Sequence, residues 1–220
     1  MPKTAVVAGS TGLVGKQLVE ILASSQEYEA VIALVRKGSN IIHDRVFTVE
    51  VDYDQLDNYA ADLKADDVFC CLGTTMKKAG SKEKFYEVDF SYPLKLAEIA
   101  EKNNSRRFNI ITANGANSNS TFFYNRVKGD IETAVSRLSI PSINIFRPSL
   151  LLGNRDKKRT SENVGAVLSR VLKPLLVGRF KKYRAIKAAT VAMAMYKVNQ
   201  QDTNGIHIFE SNRIQELGQD

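Results

Sequence analysis

Three glycines near the start of the chain, spaced three residues apart, constrain its fold more than any other feature. Gly9, Gly12 and Gly15 follow a short apolar run at 5–7 and precede apolar residues with helical spacing. The helical residues are Leu13, Val14, Leu18, Ile21 and Leu22. A turn between a strand and a helix gathers unpaired backbone N–H groups and the positive end of a helix dipole, which attract phosphate. The spacing therefore predicts a dinucleotide-binding turn, and an ordinary glycine-rich turn is the alternative.

The length and composition of the chain predict one domain spanning residues 1–220. A chain of 220 residues, 44% of them hydrophobic and 25% charged, has the proportions of an ordinary globular domain. It has no run of about 20 apolar residues, so we expect no membrane helix. The first residues lead directly into the first predicted strand, so we expect no targeting peptide.

The two cysteines of the chain are neighbours. Cys70 and Cys71 lie within an apolar run, and this usage indicates a reducing, cytoplasmic compartment. A nucleophilic thiol of the semialdehyde-dehydrogenase type is an alternative hypothesis for either residue. A cysteine within a strand more often acts as a small apolar core residue, which is the interpretation favoured here.

The formal net charge of +7 raises the question of nucleic-acid binding. The densest basic groups lie late in the chain, at 155–159 and 179–184, without zinc-ligand spacing, a basic heptad region or an aromatic RNA-binding signature. We therefore expect no nucleic-acid partner. Solvated loops, or a site for an anionic substrate or cofactor, explain these cations better.

Seven short apolar segments alternate with helical patterns along the chain. These predicted strands lie at 5–7, 30–35, 45–51, 67–72, 107–112, 142–147 and 205–210. Helices are predicted at 55–63, 82–102 and 121–138, and Pro93 is expected to kink or divide the second of these. The alternation predicts an α/β fold with a doubly wound parallel sheet of about seven strands, of the Rossmann type.

The end of the second predicted strand bears on which dinucleotide is bound. A carboxylate at this point bonds the free 2′-hydroxyl of the adenosine ribose in NAD, whereas a cation accommodates a 2′-phosphate. Arg36 and Lys37 stand there without an acid, which favours NADP(H). A solvated strand end is the alternative interpretation.

Tyr124 and Lys128 are the candidate catalytic pair. They lie four residues apart within the helix predicted at 121–138 and so share one helical face. A phenol has a pKa of about 10, and a nearby cation favours its ionised form. Beside a nicotinamide, the pair can exchange a proton with a carbonyl or alcohol oxygen while hydride is exchanged with the cofactor. His43 and His207 have no partner at metal-ligand spacing, so we expect no metal site.

Several sequence blocks resemble the short-chain dehydrogenase/reductase superfamily, and in particular its atypical branch of Tat-interacting-protein-like oxidoreductases. The blocks are GSTGLVG at 9–15, CCLGTT at 70–75, VD at 88–89, NGAN at 114–117, Y-x-x-x-K at 124–128 and FRPS-x-LLG at 146–153. The resemblance implies a single NADP-binding Rossmann domain with a small substrate-side lobe, which we place at about 154–198.

The resemblance also implies roles for individual residues. The pyrophosphate would be held by Gly9, Thr11, Gly12, Leu13 and Val14, in a loop that Ser10 and Gly15 complete. The 2′-phosphate would contact Arg36, with Lys37 beside it, and the adenine would contact Asp52. The middle of the cofactor would lie on Leu72, Gly73 and Thr74, the nicotinamide ribose on Lys128, and the nicotinamide on Pro148, Ser149 and Leu150.

The chain departs from the superfamily pattern at one catalytic position. The superfamily places a Ser or Thr at the end of the fifth strand, where its hydroxyl bonds the substrate oxygen, but this chain has Ala113 there. Thr112 or Asn114 is the candidate substitute, and Thr112 can serve only if the strand ends before it, since adjacent strand residues face opposite sides. Loss of one such donor costs about 100- to 1,000-fold in rate in other enzymes.

These features predict an NADP(H)-dependent oxidoreductase that transfers hydride between NADP(H) and a small carbonyl or alcohol. An anionic substrate is one explanation for Arg155, Lys181 and Arg184 in the predicted lobe, and surface solvation is the alternative. We expect a monomer or homodimer. The alternative function, suggested by Ala113, is an NADPH-binding regulatory or interaction protein with little catalytic activity.

Overall fold

The computed structural model describes residues 2–36, 41, 43–153 and 184–219, and within them strands alternate with helices. The strands are β1 (Lys3–Ala8), β2 (Tyr28–Val35), β3 (Val46–Glu50), β4 (Asp67–Cys70), β5 (Arg107–Ile111), β6 (Ser142–Arg147), β7 (Leu151–Leu152), β8 (Ile186–Lys187) and β9 (Gly205–Glu210). The helices are α1 (Leu13–Ser24), α2 (Met76–Ala79), α3 (Lys82–Tyr86), α4 (Tyr92–Lys102), α5 (Phe123–Val135), α6 (Ala188–Asn199) and α7 (Ser211–Leu217).

Seven of these strands form one parallel sheet in the order β3-β2-β1-β4-β5-β6-β9. The first six positions follow the strand order of the doubly wound dinucleotide-binding fold. The predicted doubly wound parallel sheet of about seven strands is therefore confirmed. β7 and β8 form a separate parallel pair.

The sheet has a hydrophobic core on each face because its central strands are apolar on both sides. Along β1, Ala5 and Val7 pack on the side of α1 and α6, whereas Val6 and Ala8 pack on the side of α4 and α5. This two-sided burial holds the carboxyl ends of the strands in fixed positions, and the candidate site residues follow those ends.

The helix predicted at 82–102 is divided in two. α3 and α4 are separated by a π-helical turn over Glu87–Ser91, and Pro93 lies in the first turn of α4. Proline has no N–H to donate to the Asp89 carbonyl four residues before it, so a regular α-helix cannot run through this position. The helix predicted at 55–63 is instead a 3₁₀ helix over Tyr53–Tyr59.

The predicted substrate-side lobe at 154–198 is only partly within the described residues. Arg155 and Lys181 lie outside them, as does the interval 154–183. The part from 188 onward forms α6, which packs against the sheet through Val191, Ala192 and Met195. These residues belong to the helical layer of the domain. Among the helices of the described ranges, none has the length and apolarity needed to cross a membrane.

Candidate active site

The glycine turn joins β1 to α1, and at two of its glycines the backbone leaves no room for a Cβ atom. Gly9 has a φ of +75°, and a Cβ on it would lie 2.6 Å from the carbonyl oxygen of Cys71. A Cβ on Gly15 would lie 2.2 Å from the Gly9 oxygen, which also accepts the Gly12 N–H at 2.9 Å. The first glycine therefore sets the turn and the third lets α1 pack onto it.

The N-terminus of α1 opens toward the same point. Gly12 is its N-cap and provides no side-chain hydrogen bond, so the first-turn N–H groups are available to a ligand. Thr11 and Gly12 are exposed. Backbone donors, the helix dipole and an open approach together fit a pyrophosphate. Ser10 differs from its neighbours, because it is fully buried and its hydroxyl donates to the Leu34 carbonyl at 2.7 Å, which ties the turn to β2.

The predicted adenosine contacts stand at the ends of β2 and β3. Arg36 directly follows β2 and is exposed, while Lys37 lies outside the described residues. Asp52 is also exposed, and its carboxylate caps the 3₁₀ helix by accepting the Asp54 N–H at 3.0 Å.

Tyr53 is a neighbour of this region that the sequence reasoning missed. Its ring stacks on Tyr92 at 5.4 Å between centroids. Burial and the nearby Cys70 raise the pKa of Tyr53, while the nearby Gly9 backbone and the charge of Arg36 act in the opposite direction. Tyr53 therefore lies close to both predicted phosphate contacts. An aromatic residue two positions after the third predicted strand was the only available signal.

A buried ion pair lies beneath the loop that follows β4. Lys128 Nζ is 2.8 Å from Asp89 Oδ1, with the two side chains only 6% and 1% exposed. The other carboxylate oxygen of Asp89 accepts the Thr74 N–H at 2.9 Å. A Cβ on Gly73 would stand 3.9 Å from Lys128 Nζ, so the loop backbone passes directly over the pair. The structure thus brings Lys128, Gly73 and Thr74 together as predicted contacts of one ligand.

The position of Lys128 depends on how closely α5 approaches the preceding loop. A Cβ on Gly129 would lie 2.1 Å from the Ser118 nitrogen, so only glycine at 129 allows this packing. Glycine next to Lys128 therefore helps to hold the start of α5, with Tyr124 and Lys128, against the carboxyl end of the sheet.

Tyr124 lies one helical turn before Lys128 and is 39% exposed. Its ring packs at 5.6 Å from the ring of Phe85. Burial raises the pKa of the Tyr124 phenol and Asp89 raises it further, whereas Lys128 acts to lower it. In this structure the net direction is upward, so Tyr124 is a phenol at neutral pH.

The Thr112 hydroxyl is bonded to a partner outside the candidate catalytic pair. β5 ends at Ile111, yet the Thr112 hydroxyl donates to Glu132 Oε1 at 2.6 Å and is buried. Glu132 is in turn bonded by the guanidinium of Arg147, with Nε at 3.0 Å. Thr112 thus belongs to a buried polar cluster. Ala113 is buried and has no hydroxyl, and the Asn114 N–H donates to the Pro148 carbonyl at 2.9 Å.

The predicted nicotinamide residues follow β6. Pro148 is buried and Leu150 is 59% exposed. The Ser149 hydroxyl donates to the Arg184 carbonyl, and the Ser149 N–H donates to the Ser211 hydroxyl at 3.1 Å. A Cβ on Gly153 would lie 2.9 Å from Leu13 Cδ2, which places the end of this segment beside the start of α1.

The thiols do not have the properties of nucleophiles. Cys70 has no exposed surface, and burial raises its pKa to about 12. Burial also raises the pKa of Cys71, and the neighbouring Cys70 adds to the effect. Because the thiolate is the reactive form, neither cysteine is activated for attack.

Comparison with known proteins places this geometry in a family. The sequence profile described as the NAD dependent epimerase/dehydratase family matches residues 5–121. Protein HTATIP2 of Rattus norvegicus is 32% identical over 223 residues, covering 99% of this chain and 90% of that protein. Protein FMP52, mitochondrial, of Meyerozyma guilliermondii is 32% identical over 154 residues, covering 69% of this chain and 66% of that protein.

Solved structures share the fold at lower identity. The Bordetella bronchiseptica enzyme WbmH, in complex with NAD+, superposes with a TM-score of 0.71 at 15% identity, covering 100% of this chain and 80% of that one. The oxidoreductase ylbE from Lactococcus lactis superposes with a TM-score of 0.66 at 19% identity, covering 98% and 95%. The chain therefore belongs to the NAD dependent epimerase/dehydratase family, in the Tat-interacting-protein-like branch of the short-chain dehydrogenase/reductase superfamily.

Proposed function

We propose that this protein is an NADP(H)-dependent oxidoreductase that interconverts a small carbonyl compound and its alcohol. The observation that carries the proposal is the buried Lys128, held beneath the Gly73–Thr74 loop and one helical turn from Tyr124. Gly9 packs against the backbone of Cys71, and the loop that follows Cys71 passes over Lys128. A dinucleotide on the glycine turn would thus reach the catalytic pair.

The residues present fit such a cofactor. The N-terminus of α1 would bind the pyrophosphate, and Lys128 with the loop at 72–74 would bind the nicotinamide half. The bound cofactor supplies or accepts hydride at the substrate carbon. Tyr124 exchanges the proton on the substrate oxygen, and Lys128 stabilises the phenolate that forms when Tyr124 gives up that proton.

Arg36 supports NADP(H) over NAD(H). Its exposed guanidinium stands at the end of β2, where a 2′-phosphate would lie, and it presents donors that match a phosphate. The solved structure of WbmH contains NAD+, so the preference for the phosphorylated cofactor is a property proposed for this chain.

Cofactor titration and one substitution test the proposal. We expect NADPH to bind more tightly than NADH, measured by quenching or transfer of nicotinamide fluorescence. Tyr124→Phe should abolish turnover in a panel of small carbonyl compounds and leave NADPH affinity nearly unchanged. Tyr86→Phe is the matched control, because Tyr86 has a similar exposed fraction, 37%, and packs on Phe90. Equal affinity for the two cofactors contradicts the NADP(H) assignment, and an active Tyr124→Phe variant contradicts the catalytic one.

A second candidate function is an NADPH-binding regulatory or interaction protein with little catalysis. It is favoured by Ala113, which lacks the expected hydroxyl, and by Thr112, whose hydroxyl is committed to Glu132. This function predicts no turnover across the carbonyl panel together with a protein partner whose binding depends on NADPH. Turnover that requires Tyr124 contradicts it.

The cellular location, the oligomeric state and the substrate class are also proposals. Both cysteines are free in the structure, which suits a reducing compartment such as the cytoplasm, although the FMP52 relative is named as mitochondrial. Cell fractionation distinguishes the two locations. We propose a monomer or homodimer acting on a small-molecule substrate, with an anionic one suggested by the basic residues near the end of the chain.

A further inference from the structure

Asp89 is a buried acidic residue that contacts both Lys128 and the loop after β4. We propose that Asp89 is a positioning residue that holds Lys128 against the cofactor loop and offsets its charge, so that Tyr124 acts as a proton donor at neutral pH. The proposal rests on the oxidoreductase function proposed above and adds that the site is arranged for carbonyl reduction.

The geometry of Asp89 links three elements of the site. One carboxylate oxygen lies 2.8 Å from Lys128 Nζ on α5, and the other accepts the Thr74 N–H of the β4 loop at 2.9 Å. The residue itself lies in the π-helical turn between α3 and α4, a feature that occurs frequently at functional sites. Because one oxygen forms the ion pair and the other accepts the loop N–H, a change at Asp89 would release the lysine and the loop together.

The electrostatics of the pair determine the state of Tyr124. A buried ammonium one turn away would favour the phenolate, but here a carboxylate lies 2.8 Å from that ammonium. Among the described residues, the charges that act on Tyr124 are Lys128 from its own helix and Asp89 from the π turn, and the ring of Phe85 packs on it from α3. Asp89 thus opposes the effect of Lys128 at Tyr124, and the net direction of the Tyr124 pKa is upward, which favours the neutral phenol.

A neutral phenol suits carbonyl reduction. The carbonyl carbon gains hydride, the carbonyl oxygen takes the Tyr124 proton, and the resulting phenolate is reprotonated by water. The carbonyl is reduced to an alcohol and NADPH is oxidised to NADP+. The reverse reaction needs the phenolate as a base, so alcohol oxidation should require a more alkaline pH than reduction does.

Titration of the Tyr124 phenol in the cofactor-free protein tests the proposal directly. Phenolate absorbance is recorded after a stopped-flow pH jump, before alkaline unfolding, and the Tyr124→Phe version of each variant is subtracted to isolate Tyr124. Asp89→Asn should lower the titration midpoint by about one pH unit, because it removes a like charge. Lys128→Met should raise the midpoint, because it removes the opposite charge.

Control variants separate charge from packing. Asp89→Glu keeps the carboxylate and disturbs the packing, so its midpoint should stay near that of the wild type. If the substitutions only loosened the site, water would reach Tyr124 and its titration midpoint would fall in every variant. Equal shifts in Asp89→Asn and Asp89→Glu, or a lowered midpoint in Lys128→Met, would overturn the proposal.

Asp89→Asn leaves a buried ammonium without its partner and can fail to fold. In that case Asp89→Asn with Lys128→Met is compared with Lys128→Met alone, and the double variant should have the lower midpoint. An unchanged midpoint contradicts the proposal. The titration needs neither cofactor nor substrate, so absent NADPH binding would contradict the proposed function while the titration still decides the role of Asp89.

Discussion

At the scale of single residues, the proposed preference for NADP(H) rests on the end of β2. Arg36 is exposed and lies close enough to Tyr53 for its charge to act on that phenol. This places a cation beside the Gly9 turn, as recognition of a 2′-phosphate requires. The sequence showed the cation, and the fold shows that it stands next to the proposed phosphate site.

Removing the Arg36 side chain should weaken the binding of NADPH selectively. Charge-assisted hydrogen bonds contribute about 1.5–3 kcal/mol, so Arg36→Ala should reduce NADPH affinity by about 10- to 100-fold. NADH affinity, measured in the same fluorescence titration, should change less than about twofold, because NADH has no phosphate at this position.

Arg45→Ala is the matched control for net charge. Arg45 precedes the amino end of β3, whereas Arg36 follows the carboxyl end of the neighbouring β2, and the Arg45 guanidinium donates to the Ser25 carbonyl at 2.9 Å. Its removal should leave both cofactor affinities unchanged. An equal loss of NADPH and NADH affinity in Arg36→Ala would contradict recognition of the 2′-phosphate.

At the scale of elements, the β1 turn and α1 function as one unit, and its glycines have different tasks. A Cβ on Gly15 would collide with the Gly9 backbone at 2.2 Å, whereas a Cβ on Gly12 would lie 3.1 Å from the same oxygen. The third glycine therefore serves packing, and we propose that the second serves access to the cofactor.

Two alanine substitutions distinguish these tasks. Gly15→Ala should lower the free energy of unfolding by about 3 kcal/mol, because backbone atoms must move to admit the methyl group. Gly12→Ala should cost less than about 1 kcal/mol but weaken NADPH binding, because its methyl group stands where the backbone approaches pyrophosphate. Urea unfolding and NADPH titration of both variants provide the measurements. Equal destabilisation of the two would contradict the division of tasks.

The π turn shows why some parts of the site were not predictable. Pro93 indicated a break in the helix at 82–102, and the structure has that break. The local pattern did not indicate that the break would aim Asp89 at Lys128, thirty-nine residues away in the chain. That pairing depends on how α4 and α5 pack on one face of the sheet.

At the scale of the whole molecule, a buried polar network lies at the amino ends of the strands, opposite the candidate site. The Tyr28 hydroxyl donates to Asp67 at 2.7 Å and accepts the Asn199 amide at 2.7 Å, and Arg107 pairs with the same carboxylate at 3.3 Å. Asn109 extends the network by donating to Asn199 at 2.8 Å. These bonds connect β2, β4, β5 and α6 across the domain.

The stability of the domain should fall at alkaline pH because buried acidic groups are held neutral. Burial raises the pKa of Cys70 from 9.0 to about 12 and also raises the pKa of Tyr28 above its ordinary value of 10.0. The unfolded chain releases these protons first, so the stabilisation is complete below about pH 9 and declines as the pH rises above it. Each group removes up to about 1.4 kcal/mol per pH unit.

Urea unfolding between pH 7 and pH 11 measures this decline. In the wild type, the free energy of unfolding should begin to fall near pH 9. In a variant with Cys70→Ala and Cys71→Ala the fall should begin about one unit higher, where tyrosine ionises in the unfolded chain. Each variant is compared with its own value at neutral pH, which removes the cost of lost packing. The same onset in both proteins would contradict this origin of the pH dependence.

The sequence by itself determined the parts that depend on neighbours in the chain. Apolar runs, the glycine spacing and the Tyr124–Lys128 interval are local, and they predicted the parallel sheet, the β1 turn and the helix that carries the proposed catalytic pair. Tertiary structure alone decided which partner each polar side chain has: Asp89 pairs with Lys128, and Thr112 donates to Glu132. The physical reason is that hydrogen bonds and ion pairs between distant segments form only after the strands and helices have packed, and a linear pattern contains no record of that packing.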